Sequence, residues 1–293
     1  MDTQNNTYFW QILERFNLLM KGSIEGPNCT DPKKCHGDCC SIKIDVPRVL
    51  AEWYIERGFA KETDFIRSNI FSFHLRFDEN TGKCFLFDIK QNGCRVHSTG
   101  RKPPQCWIYP TGFSTHSSKE CKRLGGWRIT NLKNTKEAEE LLKQYVFLCQ
   151  IEALKERNKI KDRLKYSIPP KKSKNSVTLV SYLKSIPPSA LGGFKDTWSK
   201  IKFLSAEGYS LQMKKFCKRF NPSCELSKTD FLNCEHMCDK IVLNLIKYLD
   251  THIKDYIKSN GPEVEGEYPL FKLFNGKLDE NIKDSFLSEG SHS

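Results

Sequence analysis

The sequence predicts a mainly helical α+β protein whose first half is organised around a thiol-bound metal centre. Stretches with apolar residues at helical spacing predict the helices, and short alternating segments between turn residues predict a small antiparallel β-meander. Eight of the 13 cysteines fall among irregular loops in the first half, where they can meet around a metal. The chain has 293 residues and is 38% hydrophobic, so it can bury the core of one large domain or two small ones.

The N-terminal segment is predicted to form an amphipathic helix. Phe9, Leu13 and Phe16 recur at helical spacing, with polar residues between them. The segment has no basic start, no long apolar run and no small-residue cleavage site, so it does not resemble an export signal. No part of the chain approaches the ~18 apolar residues of a membrane span. We therefore expect a cytoplasmic protein with reduced thiols and no membrane span.

A second helix and the β-meander are predicted next. Pro47 suits the first turn of a helix, and Gly58 suits its end. Alternating apolar residues over 71–77 predict a strand with one buried face, and residues 83–89 predict a second strand. The Asn92-Gly93 turn then leads into a third. The meander would carry Cys84 and Cys94.

The rest of the chain is predicted to be helical. Asn134 and Glu137 have the spacing of a capping box at the start of a long helix, which must end before Pro169-Pro170. Three further helices are predicted after this break. The first contains Trp198, Ile201 and Leu204, and the second covers residues 211–220. The third carries an apolar stripe from about Ser227 to Ile253. We therefore divide the chain into a cysteine-cluster metal-binding domain, 1–165, and a helical C-terminal unit, 166–293. The two parts can also pack together as one domain.

A basic segment lies between the two halves. Residues 155–174 contain nine basic and two acidic residues and contribute much of the formal net charge of +12. A solvated helix end followed by a linker is one interpretation, and a surface for nucleic acid or acidic lipid is the other. The segment lacks regularly interleaved aromatic residues for stacking bases, which favours the first interpretation. Nucleic acid is therefore a less favoured partner.

The cysteines of the first half are the candidate metal ligands. Soft metals are bound by several thiolates that converge from turns, and these cysteines lie in such segments. The eight candidates are Cys29, Cys35, Cys39, Cys40, Cys84, Cys94, Cys106 and Cys121. In extended chain neighbouring side chains point to opposite sides, so Cys39 and Cys40 either face two sites or only one of them binds. One and two metal sites both stay open, and His97 is a further candidate ligand or a hydrogen-bond donor to one.

These motifs resemble a known family. The runs CTDPKKCHGDCC (29–40), CFL (84–86) and CRVH (94–97), with Cys106 and Tyr109-Pro110, look like the YkgJ-type cysteine-cluster family, described as a zinc- or iron-chelating domain. The resemblance covers about residues 29–113. The first spacing is Cys-x5-Cys-x3-Cys-Cys in place of the family's shorter Cys-x2-Cys-x2-Cys-Cys, and Lys102-Pro103-Pro104 stands where Arg-Pro is usual.

The first spacing is also similar to that of the flagellin lysine methylase branch. This resemblance implies an iron–sulfur cluster, of the 4Fe-4S type, and methylation of lysine side chains, with a protein as the substrate. The sequence has no strand followed by a Gly-x-Gly loop and no radical-type Cys-x3-Cys-x2-Cys. An iron–sulfur cluster and zinc are both candidate cofactors, and the methylase-like spacing favours the cluster.

Four cysteines form a second group, Cys217, Cys224, Cys234 and Cys238. Cys234 and Cys238 are one helical turn apart, a spacing that would let both bind one metal. Cys217 and Cys224 flank the Asn221-Pro222 turn and could complete a site with four ligands. Cys238 also continues the apolar stripe of the last helix, where a buried cysteine packs as a small apolar residue. We favour packing for this group, as we do for Cys149.

Three classes of function follow. The first is a metal-binding protein whose centre is structural or redox-active. The second is an enzyme that modifies protein side chains, such as a lysine N-methylase. The third is a zinc-stabilised module that binds nucleic acid through the basic segment. No P-loop, His-Glu-x-x-His or Gly-x-Ser-x-Gly motif identifies another enzyme class.

Overall fold

The computed structural model describes residues 3–68, 71–111, 126–167, 178–260 and 265–274. The helices are α1 (Thr3–Lys21), α2 (Arg48–Glu56), α3 (Gln105–Thr111), α4 (Leu132–Asn158), α5 (Ile160–Tyr166), α6 (Leu179–Lys184), α7 (Leu211–Phe220), α8 (Glu225–Lys228), α9 (Asp239–Asn260) and α10 (Leu270–Leu273). The strands are β1 (Ile24–Glu25), β2 (Asp45–Val46), β3 (Phe65–Arg67), β4 (Phe73–Leu75), β5 (Phe87–Asp88), β6 (Gly93–Cys94), β7 (Arg128–Ile129), β8 (Leu191–Asp196), β9 (Ile201–Ser205) and β10 (Glu267–Pro269). The predicted fold class, α+β and mainly helical, is confirmed.

The chain divides into two compact units, Met1–Glu156 (unit 1) and Arg157–Ser293 (unit 2). The division falls near the end of α4 and inside the basic segment. No helix within the described ranges is both long enough and apolar enough to cross a lipid bilayer.

The apolar face of α1 forms part of the core of unit 1. Phe9, Leu13 and Phe16 are buried, as their spacing predicts. The ring of Phe9 lies 5.6 Å from that of Tyr145 on α4. Each such side chain contributes about 1.5–3 kcal/mol to stability by leaving water. Trp107 of α3 packs in the same core near Phe16. Because Trp107 directly follows Cys106, its burial anchors the helix that carries Cys106.

A carboxylate from α4 caps the N-terminus of α2. The residue before α2, Pro47, offers no side-chain acceptor. The Glu152 carboxylate instead accepts the main-chain N–H groups of Arg48 and Val49, and the Ser72 hydroxyl donates to it at 2.6 Å. A negative charge at the N-terminus of a helix also interacts favourably with the helix dipole. Gly58, at φ +73°, follows the end of α2 as predicted.

The predicted meander is present in a shortened form. β2, β4 and β3 form an antiparallel sheet in that order, and β5 pairs with β6 across the turn that contains Asn92-Gly93. The strand predicted over 71–77 is confined to β4, whose three residues are all buried, so both faces of the strand are covered. Phe77 forms a single bridge with Cys84 beyond it. Cys29, Cys35 and Cys84 lie in the irregular backbone around these short strands.

Unit 2 is built on the antiparallel sheet β10-β8-β9 and on α9. The predicted helix that contains Trp198, Ile201 and Leu204 is wrong, since Ile201 begins β9. A short turn joins β8 to β9, and pairing between these strands overrides the helical spacing of three apolar residues. On the other side of β8, Gly193 allows the close approach of β10, because a Cβ atom there would lie 2.5 Å from the Tyr268 carbonyl oxygen.

The last long helix begins later than its apolar stripe predicts. α9 starts at Asp239 and not near Ser227, and it buries Ile241, Leu245 and Leu249 as expected. The segment before it consists of α8 and a 3₁₀ turn at Phe231–Asn233. The prediction of one helix through Cys234 and Cys238 is therefore wrong.

One basic residue of the segment 155–174 is buried in an ion pair. The Arg163 guanidinium on α5 contacts both carboxylate oxygens of Asp196 on β8, at 2.6 and 2.8 Å. Both side chains are less than a tenth exposed. Arg163 thus stabilises unit 2 and is not available to a nucleic-acid backbone. Residues 168–174 of the segment lie outside the described residues.

Candidate metal centre

One cavity in unit 1 is lined by seven of the eight candidate ligands. Its volume is about 440 Å³. The cysteines that line it are Cys29, Cys35, Cys39, Cys40, Cys84, Cys94 and Cys106. Cys121, the eighth candidate, lies outside the described residues. The structure therefore brings together thiols that are up to 77 residues apart in the chain.

Several local elements deliver these thiols. Cys29 and Cys35 lie in the loop after β1, where the Cys35 N–H donates to the Asp31 carbonyl at 2.9 Å. Cys84 precedes β5, and its N–H donates to the Cys40 carbonyl at 2.8 Å, which joins the first cysteine loop to the meander. The remaining thiols come from β6 and α3. The cavity cysteines are thus carried by turns, by the end of one strand and by the start of one helix.

The adjacent cysteines both line this cavity. The sequence interpretation placed them on opposite sides of extended chain, but they lie in a 3₁₀ turn, Asp38–Cys40. Successive side chains in a 3₁₀ helix are rotated by about 120° and not by 180°, because the helix has about 3 residues per turn. Cys39 and Cys40 can therefore both face the same space, which corrects the earlier expectation. Gly37, at φ +71°, begins the turn in the left-handed conformation that favours glycine.

The two neighbouring thiols differ in acidity. A hydrogen bond from the Cys40 thiol lowers the pKa of Cys39 to about 7, although burial opposes this effect and the Lys102 ammonium adds to it. The same hydrogen bond, followed by burial and the charge of Cys39, raises the pKa of Cys40. Above about pH 7 the pair is therefore expected to keep one proton, on Cys40, with the thiolate on Cys39.

Three other cavity thiols resist ionisation in the absence of a cation. Burial raises the pKa of Cys84 to about 12 and raises the pKa of Cys94 and Cys106. The charges of neighbouring thiolates act in the same direction on all three. A bound metal cation reverses both effects, because it neutralises the thiolates that it ligates. The donor set is therefore suited to a soft metal and costly to ionise without one.

Donors already point at the sulfurs. The N–H of Gly37 donates to the Cys35 sulfur at 3.4 Å, and the N–H of Leu86 donates to the Cys84 sulfur at 3.4 Å. A hydrogen bond from the main chain of Val96, together with the charges of Lys102 and Arg95, partly offsets the effect of burial on Cys94. Such donors stabilise thiolate charge and tune metal–thiolate centres.

Lys102 and His97 lie together at the cavity wall. The Lys102 ammonium is 3.2 Å from Nδ1 of His97 and 3.9 Å from the centre of the Trp107 ring. Desolvation of the His97 ring, together with the charges of Lys102 and Lys21, lowers its pKa to about 4. His97 is therefore neutral at pH 7, the form in which an imidazole nitrogen can ligate a metal.

The cysteines line a volume of about 440 Å³. Within the described ranges, no three His, Cys, Asp or Glu side chains lie in an arrangement that would hold a single metal ion. Apolar side chains close part of the wall, including Ile44, Leu86 and Trp127. The arrangement can accommodate a group that is larger than one ion.

Sequence reasoning missed several residues of this site. Lys102 and Arg95 supply positive charge, and Trp127 supplies apolar wall from outside the cysteine motifs. Asn92 was predicted only as a turn residue, yet its side chain donates to the carbonyl of Cys29 at 3.0 Å. The one signal in the sequence for these missed residues was Lys102, which directly precedes the Pro103-Pro104-Gln105-Cys106 run. Cys149, as predicted, is fully buried, and it does not line the cavity.

Comparison of the chain with protein-family models, curated proteins and solved structures finds no match. The resemblance to the YkgJ-type family stays a prediction from the motifs of residues 29–113.

Proposed function

We propose that unit 1 binds an iron–sulfur cluster through thiolates of the cavity and that this centre has a structural or electron-transfer role. The observation that carries the proposal is the gathering of seven cysteines around one cavity of about 440 Å³. Seven thiols exceed the four that a [4Fe–4S] cluster requires. Chance packing of cysteines as small apolar residues would scatter them through the core, as Cys149 illustrates.

The size of the cavity favours a cluster over one zinc ion. A tetrahedral zinc site holds its thiolates about 2.3 Å from the ion, and so within roughly 4 Å of one another. The seven cysteines line a cavity of about 440 Å³. A cluster places its ligands further apart, because iron and sulfide atoms lie between them.

The surroundings support the same assignment. When bound, such a cluster exchanges single electrons at a potential set by hydrogen bonds to its sulfurs and by exposure to water. Gly37 and Leu86 donate N–H groups to the sulfurs, and Ile44 and Trp127 limit access of water. Lys102 offsets thiolate charge from the wall. Lysine methylation by the same centre stays a prediction from the methylase-like spacing alone.

The test is metal analysis of the full-length protein purified without oxygen. We expect iron and sulfide in equal amounts, with broad absorption in the visible range. Changing Cys84 and Cys106 together to serine should remove the iron, whereas Cys149→Ser, a matched change outside the cavity, should retain it. A colourless protein that loses one equivalent of zinc in the same double variant would assign the cavity to zinc. A wild-type protein that holds no iron after reconstitution, and no zinc that the double variant loses, would refute the proposal.

A further inference from the structure

We propose a second metal site, in unit 2, where Cys217, Cys224, Cys234 and Cys238 bind one zinc ion. This site shares no residue with the cavity of unit 1 and does not depend on what binds there. It revises the sequence interpretation, which favoured packing for this group.

The four cysteines lie at the ends of local elements. Cys217 is in the last turns of α7, Cys224 is the residue before α8, and Cys234 follows the 3₁₀ turn at Phe231–Asn233. Cys238 precedes α9. Four cysteines match the Cys₄ donor set that is common in structural zinc sites.

Hydrogen bonds of Asn221 bring these ends together. The Asn221 N–H donates to the Cys217 carbonyl at 2.8 Å, and the Cys224 N–H donates to the Asn221 carbonyl at 3.0 Å. The Asn221 side-chain amide donates to the sulfur of Cys238 at 3.7 Å, across 17 residues of chain. One residue thus connects three of the four cysteines, and its donor to sulfur is of the kind that supports metal thiolates.

The thiols also lie within electrostatic range of one another. Burial, together with the charges of Cys234, Cys238 and Cys224, raises the pKa of Cys217 to about 12. Burial also raises the pKa of Cys234, and Cys224 and Cys238 act on it in the same direction. As in unit 1, no three of these described side chains lie in an arrangement that would hold an ion, so binding requires the thiol side chains to move.

Burial argues against simple packing. Cys217 is 6% exposed, but Cys224 and Cys234 are half-buried and Cys238 is exposed. An exposed thiol gains little by packing as an apolar group. None of the described cysteines forms a disulfide. Four neighbouring thiols of which three reach the surface are better explained as ligands.

The environment suits a closed zinc site more than a cluster. Four thiolates and one Zn²⁺ carry a charge of about −2, and Lys218 and Arg219 lie in the last turn of α7 beside them. The segment between the last three ligands is anchored by Phe231 and Met237, which are 3% and 4% exposed. Structural zinc tolerates partial exposure to water because the ion has no redox chemistry.

Thiol labelling tests the site in the intact wild-type protein. The full-length chain, purified with zinc present, is treated with iodoacetamide, and each cysteine is quantified by peptide mass spectrometry. We expect Cys224, Cys234 and Cys238 to be labelled slowly, and at least ten times faster after zinc is removed by a chelator. Rapid labelling of Cys238 and Cys234 in the zinc-loaded protein, or a disulfide among the four, would overturn the proposal.

Matched variants give a second, independent readout. Changing Cys234 and Cys238 to serine should lower the zinc content by one equivalent per chain and leave the iron content unchanged, because the two sites are separate. Glu235→Gln, on the same exposed loop, should leave zinc content unchanged. Unaltered zinc in the double cysteine variant would show that the four thiols do not hold the ion.

Discussion

The side-chain amide of Asn92 donates to the main-chain carbonyl of Cys35, with 2.8 Å between Nδ2 and the oxygen. The same amide also reaches the carbonyl of Cys29. Asn92 has a φ of +46°, a left-handed conformation that asparagine tolerates in hairpin turns. One turn residue therefore holds the first cysteine loop against the hairpin that carries Cys94.

Loss of this connection should weaken the metal centre without removing a thiol. In Asn92→Ala the loop with Cys29 and Cys35 loses both hydrogen bonds, so its sulfurs are less well positioned. We expect about a tenfold or greater increase in the rate at which a chelator removes the metal, by analogy with other outer-sphere partners. Lys90→Ala, an exposed change at the same turn, should have no effect. Equal rates in both variants would show that Asn92 has no positioning role.

Single serine substitutions at the adjacent pair should separate ligands from spare thiols. Both Cys39 and Cys40 line the cavity, so at least one of the two variants should lose bound metal and destabilise unit 1. The measurements are metal content and the melting temperature of each variant. If Cys39→Ser and Cys40→Ser both keep the full metal content, neither residue is a ligand.

The pH dependence of alkylation should reveal the shared proton of this pair. In metal-free, reduced protein the pKa of Cys39 is lowered from 9.0 to about 7. Only the thiolate reacts, so the rate at Cys39 should rise as pH increases through about 7 and level off above it. Cys40→Ala removes the hydrogen-bond donor, which should move the midpoint to higher pH. A midpoint at Cys39 that stays near 9 in the wild-type protein would contradict this assignment.

The buried pair of Arg163 and Asp196 should matter strongly to the stability of unit 2. Arg163→Met leaves the Asp196 carboxylate buried without its partner, which we expect to cost about 3–5 kcal/mol of unfolding free energy. The double variant Arg163→Met, Asp196→Leu should be less destabilised than the single one, because no charge is left buried. Urea unfolding followed by circular dichroism measures both.

An exposed pair provides the control for this comparison. Nζ of Lys165 lies 4.0 Å from Oδ1 of Asp162 on the same helix, and both side chains are more than half exposed. Lys165→Ala should change stability only slightly, since solvent screens such pairs. A similar loss in Lys165→Ala and Arg163→Met would show that burial does not determine the effect.

Local patterns in the sequence were sufficient for much of the fold. The spacing of Phe9, Leu13 and Phe16 predicted α1 and its buried face, and Asn92-Gly93 predicted the turn between β5 and β6. The same kind of pattern failed at Ile201, because strand pairing with β8 outweighs a helical spacing of three residues. It also failed before Asp239, where the apolar stripe could not show that the helix starts late.

The candidate site divides in the same way. Residue types alone identified the seven cavity cysteines as candidate ligands, since clustered thiols on turns are typical of metal sites. Only the tertiary structure placed Cys39 and Cys40 in one 3₁₀ turn facing one cavity, and only it showed that Cys238 is exposed. The physical reason is the distance along the chain over which each kind of interaction acts. Periodicity and turn preference act over a few residues, whereas the gathering of thiols depends on contacts such as Asn92 to Cys35, which join residues 57 positions apart.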